Sequence, residues 1–223
     1  GKTYNLIDRL QGHLNKNCPF DQTLTLSFTR VAAREIRARI AAQNQFTEKQ
    51  LTQNVRTIDS YLMNRIREDK EICYTRDFIK AFYDNLKSPQ TSRTFLIQLI
   101  ESYENYKKNN LKMDWEDVKY KGLNSKIIFP NNIVLMIDEA QDCNRLEWLV
   151  INKLIAVSKH VYIAGDDDQA IYRFKGGEVE TFLQLPVTTT TVLDESPRLN
   201  EKVYNLAQDI IHYIPQENRQ EKS

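Results

Sequence analysis

The run Ile133-Val134-Leu135-Met136-Ile137 is apolar at every position and closes on Asp138 and Glu139, with Asp142 just beyond. Continuous apolar character over a strand-length stretch requires cover on both faces, the condition met in a parallel sheet flanked by helices. Four segments read as such β-branched or apolar strands: 23–29, 132–138, 160–166 and 188–194. Between the second and third lies "NRLEWLVINKLIAVSK", whose length and apolar density suit the crossover helix that two parallel strands need. The expected fold class is therefore α/β. In such open sheets ligands bind beyond the carboxyl ends of the strands, where Asp138 and Glu139 stand. A carboxylate pair there can hold Mg²⁺ and orient a water for attack on phosphate. The plainer reading of the two acids alone is a solvated strand-to-loop turn.

Composition narrows the options. A net charge of +1 gives no global field to attract an anionic polymer, so any nucleic-acid site must be a local patch. Cys18, Cys73 and Cys143 are odd in number and lack CxxC spacing, which speaks against a disulfide framework or a zinc site and for a reducing, cytoplasmic setting. No apolar stretch is long enough to span a bilayer, so no membrane partner is expected. Residues 61–125 have a different texture, with apolar residues at helical spacing among many charges and a break at Ser88-Pro89. They read as a helical insertion between two strands, while 215–223 reads as a polar, frayed tail.

The opening triplet Gly1-Lys2-Thr3 matches the close of the phosphate-binding loop GxxxxGK[ST], in which the lysine reaches the β/γ-phosphates and the hydroxyl ligates Mg²⁺. Leu6, Leu10 and Leu14 follow at i, i+4 and i+8, the helix such a loop must open. Three residues at a chain start are weak evidence by themselves, and an arbitrary chain start is the plain alternative.

Further matches, in order, give them company. "SFTRVAAREIRARI" (27–40), "RTIDSYL" (56–62), "MDWEDV" (113–118), "IDEAQD" (137–142) and "AGDDDQAIYRFKGG" (164–177) resemble successive motifs of the superfamily 1 DNA helicases of the UvrD/Rep/PcrA type. The resemblance runs from Gly1 to about Ile211. It implies a RecA-like P-loop NTPase sheet over 1–60 and 126–214, with 61–125 as an inserted helical subdomain. It also implies a motor that couples ATP hydrolysis to movement on single-stranded DNA and to unwinding at single-strand/duplex junctions.

By the same resemblance, Gly1, Lys2 and Thr3 bind ATP, Thr3 and Asp138 hold Mg²⁺, and Glu139 is the base or water-orienting group. Gln169 senses the γ-phosphate, and Arg198 acts as an arginine finger. DNA contact is implied for Phe28, Arg30, Thr57, Tyr172 and Phe174, the rings by stacking. Core packing is the alternative for the rings, a surface charge for Arg198, and a solvated face for Arg30, Arg34 and Arg37, which share one helix face. Three positions depart from the family's pattern. Asp59 stands where histidine is usual, Phe174 where tryptophan is frequent, and Pro197 where a tyrosine stacks on adenine, which puts adenine stacking in doubt.

The family's sheet has a central strand leading into the phosphate loop, and a second RecA-like domain completes its ATP cleft. A chain opening at "GKT" is therefore expected to be catalytically silent by itself, with another segment filling the gap in the sheet or the neighbouring strands shifted. Two other functions share the fold: the motor part of a helicase-nuclease subunit of the AddA/RecB kind, and a non-catalytic scaffold that binds DNA or protein.

Overall fold

The structure, a computed structural model, describes residues 1–66, 70–84, 92–124, 129–193 and 200–212. Arg198, Ser88-Pro89 and the 215–223 tail lie outside the described residues. The chain divides into two compact units, Gly1–Tyr61 with Ile128–Ser223, and Leu62–Ile127.

The first unit opens with α1 (Lys2–Leu14), then β1 (Thr23–Ser27), α2 (Arg30–Ala41), α3 (Glu48–Asn54) and β2 (Val55–Thr57). Here α4 (Ile58–Ile66) leads into the second unit, which holds β3 (Glu71–Ile72), α5 (Thr75–Asp84), α6 (Arg93–Asn109), β4 (Lys112–Met113) and α7 (Trp115–Asn124). The chain returns to the first unit with β5 (Ile133–Asp138), α8 (Arg145–Val157), β6 (Ser158–Ile163), α9 (Val179–Leu183) and α10 (Glu201–His212).

The main sheet has the order β2-β1-β5-β6, and every pair in it is parallel. All six residues of β5 are buried, and alternate side chains serve opposite layers. Val134 and Met136 join Leu6, Ile7 and Leu10 of α1 and Ile36 and Ile40 of α2 in one cluster. Helix α8, with Trp148, Ile151 and Leu154 buried, packs on β5 and β6. Its start is fixed by a reciprocal cap: the Asn144 side chain accepts from the Glu147 amide at 3.1 Å, and the Glu147 carboxylate accepts from the Asn144 amide at 2.8 Å. Among the described residues no helix is long and apolar enough to cross a membrane.

Two sequence expectations fail. Residues 188–193 are exposed and form no strand, although the threonine run has high β propensity. That propensity counts only where side chains pack against a sheet, and these have no such cover. Among the described residues no strand pairs with the outer edge of β6. Conversely β2 was not expected, because Arg56 interrupts it. The guanidinium is buried there and donates to the carbonyls of Thr52 at 2.6 and 2.9 Å and of Ser60 at 3.2 Å, which satisfies a charge that would otherwise be costly to bury.

In the second unit β3 and β4 pair in parallel, and a buried ion cluster ties α6 to α7. Lys107, only 5% exposed, reaches Glu104 at 2.9 Å, Asp114 at 3.0 Å and Asp117 at 2.8 Å. Asp114 also caps α7, accepting from the Asp117 amide at 2.9 Å while its own amide donates to Asp117 at 3.0 Å.

Candidate nucleotide and nucleic-acid site

The register β1 to β5 sets Ser27 beside Asp138, so both strands end at one level. Helix α1 starts at this level, and the Thr3 hydroxyl donates to Asp138 Oδ2 at 2.9 Å. Asp138 is 1% exposed, and its other oxygen, Oδ1, is buried with no hydrogen-bond partner among the described residues. Burial pushes this carboxyl above its ordinary value, against the hydrogen bond from Thr3. A buried carboxylate with an open oxygen beside a hydroxyl is a hard oxygen donor set of the kind that suits Mg²⁺. The residues present therefore fit the metal.

Glu139 follows in the left-handed backbone region, φ 55°, a conformation costly for a residue with a side chain and one that bends the chain sharply off the strand. Lys2 Nζ lies 3.8 Å from the Glu139 carboxylate and 3.5 Å from that of Asp166 in the loop after β6. One cation thus sits among groups from three elements, where a phosphate could take it over. Asp166, Asp167 and Asp168 bring one oxygen each within 4.8 Å of one another, but Asp166 is already engaged by Lys2 and by Gln169, whose amide donates to it at 2.6 Å. Gln169 is exposed.

Sequence reasoning gave Gln141 no role, yet it lies at the centre of the loops. It is 1% exposed; its Nε2 donates to Glu139 at 2.9 Å and to Asp142 at 3.2 Å, while its Oε1 accepts from the Asp166 amide at 2.9 Å. Asp142 is pushed up to about 6 by burial, and the neighbouring Glu139 charge adds to the rise. The signal available in the sequence was an amide set between carboxylates immediately after a buried strand. Gly165 leaves room for it: a Cβ there would stand 3.0 Å from Gln141 Oε1 and 2.6 Å from the Phe182 ring.

The loop after β6 carries the rings. Phe28, at the end of β1, meets Tyr172 with centroids 5.3 Å apart, and Tyr172 meets Phe174 at 6.2 Å. Phe174 is 80% exposed, so the core alternative does not hold for it; Phe28 and Tyr172 are half-buried. Arg30 and Arg34 are exposed on α2, but Arg37 donates to the Val55 carbonyl at 2.9 Å and so ties α2 to β2. Thr57 is buried, and its hydroxyl accepts from the Ser60 amide at 3.2 Å in the first turn of α4. Thr3 thus meets Asp138, Lys2 and Gln169 meet at Asp166, and Lys2 also faces Glu139, while Phe28, Tyr172 and Phe174 form a second, aromatic group.

The family described as the UvrD/REP helicase N-terminal domain matches residues 1–114 and 70–189. A probable DNA helicase II homolog of Mycoplasma genitalium is 23% identical over 195 residues, covering 78% of this chain and 27% of that protein. The ATP-dependent DNA helicase PcrA of Staphylococcus epidermidis is 23% identical over 198 residues and that of Staphylococcus aureus 22% over 196, with the same coverage of 78% and 27%. The chain thus spans about a quarter of the length of these curated relatives.

Proposed function

The chain belongs to the UvrD/REP helicase N-terminal domain family, with a RecA-like parallel sheet, and from that premise we propose that the protein, in its full natural length, is an ATP-driven motor moving on single-stranded DNA and opening duplexes at junctions. The observation that carries this reading is the Thr3–Asp138 contact with Lys2 beside Glu139 and Asp166, since it assembles a cation, a hydroxyl and three acids at one sheet end.

In this mechanism Lys2 leaves its two carboxylates for the β/γ-phosphates of ATP. Thr3 and Asp138 would hold Mg²⁺, which would supply charge neutralisation during phosphoryl transfer. Glu139, on its sharply turned backbone, orients the attacking water and accepts its proton. Gln169 monitors the γ-phosphate from the loop that bears the rings, and Arg198 approaches the same phosphate, as the resemblance implies. A second RecA-like domain closes the cleft from the opposite side.

DNA bases stack on Phe174 and Tyr172, backed by Phe28, with Arg30 near the phosphate backbone; Thr57, buried and bonded to the Ser60 amide, is held back from that surface. Phe174→Ala is expected to weaken single-strand binding by about 1–3 kcal/mol with little dependence on base sequence, because every base offers a face to stack. Fluorescence titration with mixed-sequence oligonucleotides measures it; unchanged affinity in an intact fold removes Phe174 from the DNA surface.

The function itself is tested by steady-state ATP hydrolysis with increasing single-stranded DNA. Turnover that rises with DNA supports the motor. Nucleotide binding with no turnover at any DNA concentration points instead to a scaffold on the same fold.

A further inference from the structure

The loop after β6 is fastened to the loop after β5 at both of its ends. At the near end the Ala140 amide donates to the Ala164 carbonyl at 3.0 Å; at the far end the Glu178 amide donates to the Cys143 carbonyl at 2.9 Å, and Asn144 bridges Gly177. Between these backbone ties the Gln141 side chain hydrogen-bonds to both loops, and Lys2 adds ion pairs to Glu139 and Asp166 across them. Its orientation is fixed by its partners. The oxygen faces an N–H and the nitrogen faces two carboxylates, whereas a flipped amide would set oxygen against carboxylate and N–H against N–H.

We infer that Gln141 is a positioning residue for ATP turnover, holding the Glu139 carboxylate in place and linking it to the Asp166 backbone, so that the acid and the ring-bearing loop move as one body. The inference rests on the motor reading above. Its physical basis is the full use of one buried amide: both donors lie on acids and the acceptor on the opposite loop. Loss of the amide strips Glu139 of a donor at 2.9 Å and leaves the Asp166 N–H without its bond. Gln169, hydrogen-bonded to Asp166, shifts with it. Gln141 itself bonds to neither Lys2 nor Thr3, and ATP takes Lys2 from Glu139 and Asp166 in any case, so nucleotide binding survives while the geometry of attack is lost.

The test uses Gln141→Met, of similar length with neither donor nor acceptor at its end, and Gln141→Glu, which keeps an acceptor for the Asp166 N–H but cannot donate to the acids. In the protein of full natural length both variants are expected to lower DNA-stimulated kcat by about 10- to 100-fold, the loss typical of a small misplacement of reacting groups. Nucleotide Kd stays near the wild-type value. Wild-type kcat in either variant overturns the inference, as does a parallel loss of nucleotide affinity, which marks a merely structural role. A measurement on the wild type needs no variant to fold: amide hydrogen exchange at Asp166 is expected to be slow, and exchange at the rate of an open loop overturns the bridge. Absence of DNA-stimulated hydrolysis in the wild type would instead overturn the motor reading, and the Asp166 amide would still report on the bridge.

Discussion

Glu139→Gln is expected to lower DNA-stimulated ATP turnover by about 10²- to 10⁴-fold, the contribution of a positioned general base, while leaving nucleotide affinity nearly unchanged. The amide has the shape of the carboxylate and can still accept from Gln141 Nε2, which now sits 2.9 Å from the acid. It cannot take a proton or carry negative charge beside the water. The only ion pair lost among those described for Glu139 is the long one to Lys2, at 3.8 Å, which ATP would break in any case. Single-turnover hydrolysis and equilibrium nucleotide titration of the same preparation separate the two quantities. Undiminished hydrolysis would remove Glu139 from the chemistry.

Lys107→Met is expected to destabilise the helical unit by about 3–5 kcal/mol, the usual result of removing one member of a buried ion cluster. Asp114, 7% exposed, loses its ammonium partner at 3.0 Å and keeps its charge through the Asp117 amide and the Tyr103 hydroxyl. Burial alone would raise the Asp114 carboxyl, but the Asp117 amide and the Lys107 ammonium outweigh it and hold it below its ordinary 3.8. A lowered carboxyl contributes stability that is present above 3.8 and lost as pH falls through its folded value. Burial likewise works to lower Lys107, but its bonds to Asp117, Glu104 and Asp114 prevail and raise it above 10.5, so its contribution is complete below 10.5 and lost only in stronger base. Urea unfolding should therefore show wild-type stability falling in acid below 3.8, and a shallower fall in Lys107→Met. Equal midpoints at neutral pH would mean that the cluster contributes no stability.

The elements legible in the sequence are those whose burial is written as an uninterrupted apolar pattern. Strand β5 is buried on both faces and reads so from Ile133 to Ile137, and α1 shows its buried face in Leu6 and Leu10. Strand β2 was illegible because its middle residue is an arginine whose charge is satisfied by backbone carbonyls, a solution visible only in three dimensions. The threonine run at 188–193 misled for the opposite reason, local propensity without cover. In the site, Lys2, Thr3 and Asp138 stand out by residue type and motif, and the fold bonds Thr3 to Asp138 and sets Lys2 beside Glu139 and Asp166. Gln141 did not stand out, because an amide's role depends on what lies across from it, and the Asp166 amide comes from a different loop.

In the proposed motor, nucleotide state at the acids is communicated to the rings. This coupling is tested most directly by the single-strand affinity of Glu139→Gln protein of full natural length, measured without nucleotide, with ATP and Mg²⁺, and with ADP and Mg²⁺. Slow hydrolysis in this variant keeps each state populated during titration. Coupling between two sites typically changes affinity by about 5- to 150-fold, and a difference within that range between the ATP and ADP states is predicted. Identical affinity in all three states, with nucleotide bound and the fold intact, would contradict the account.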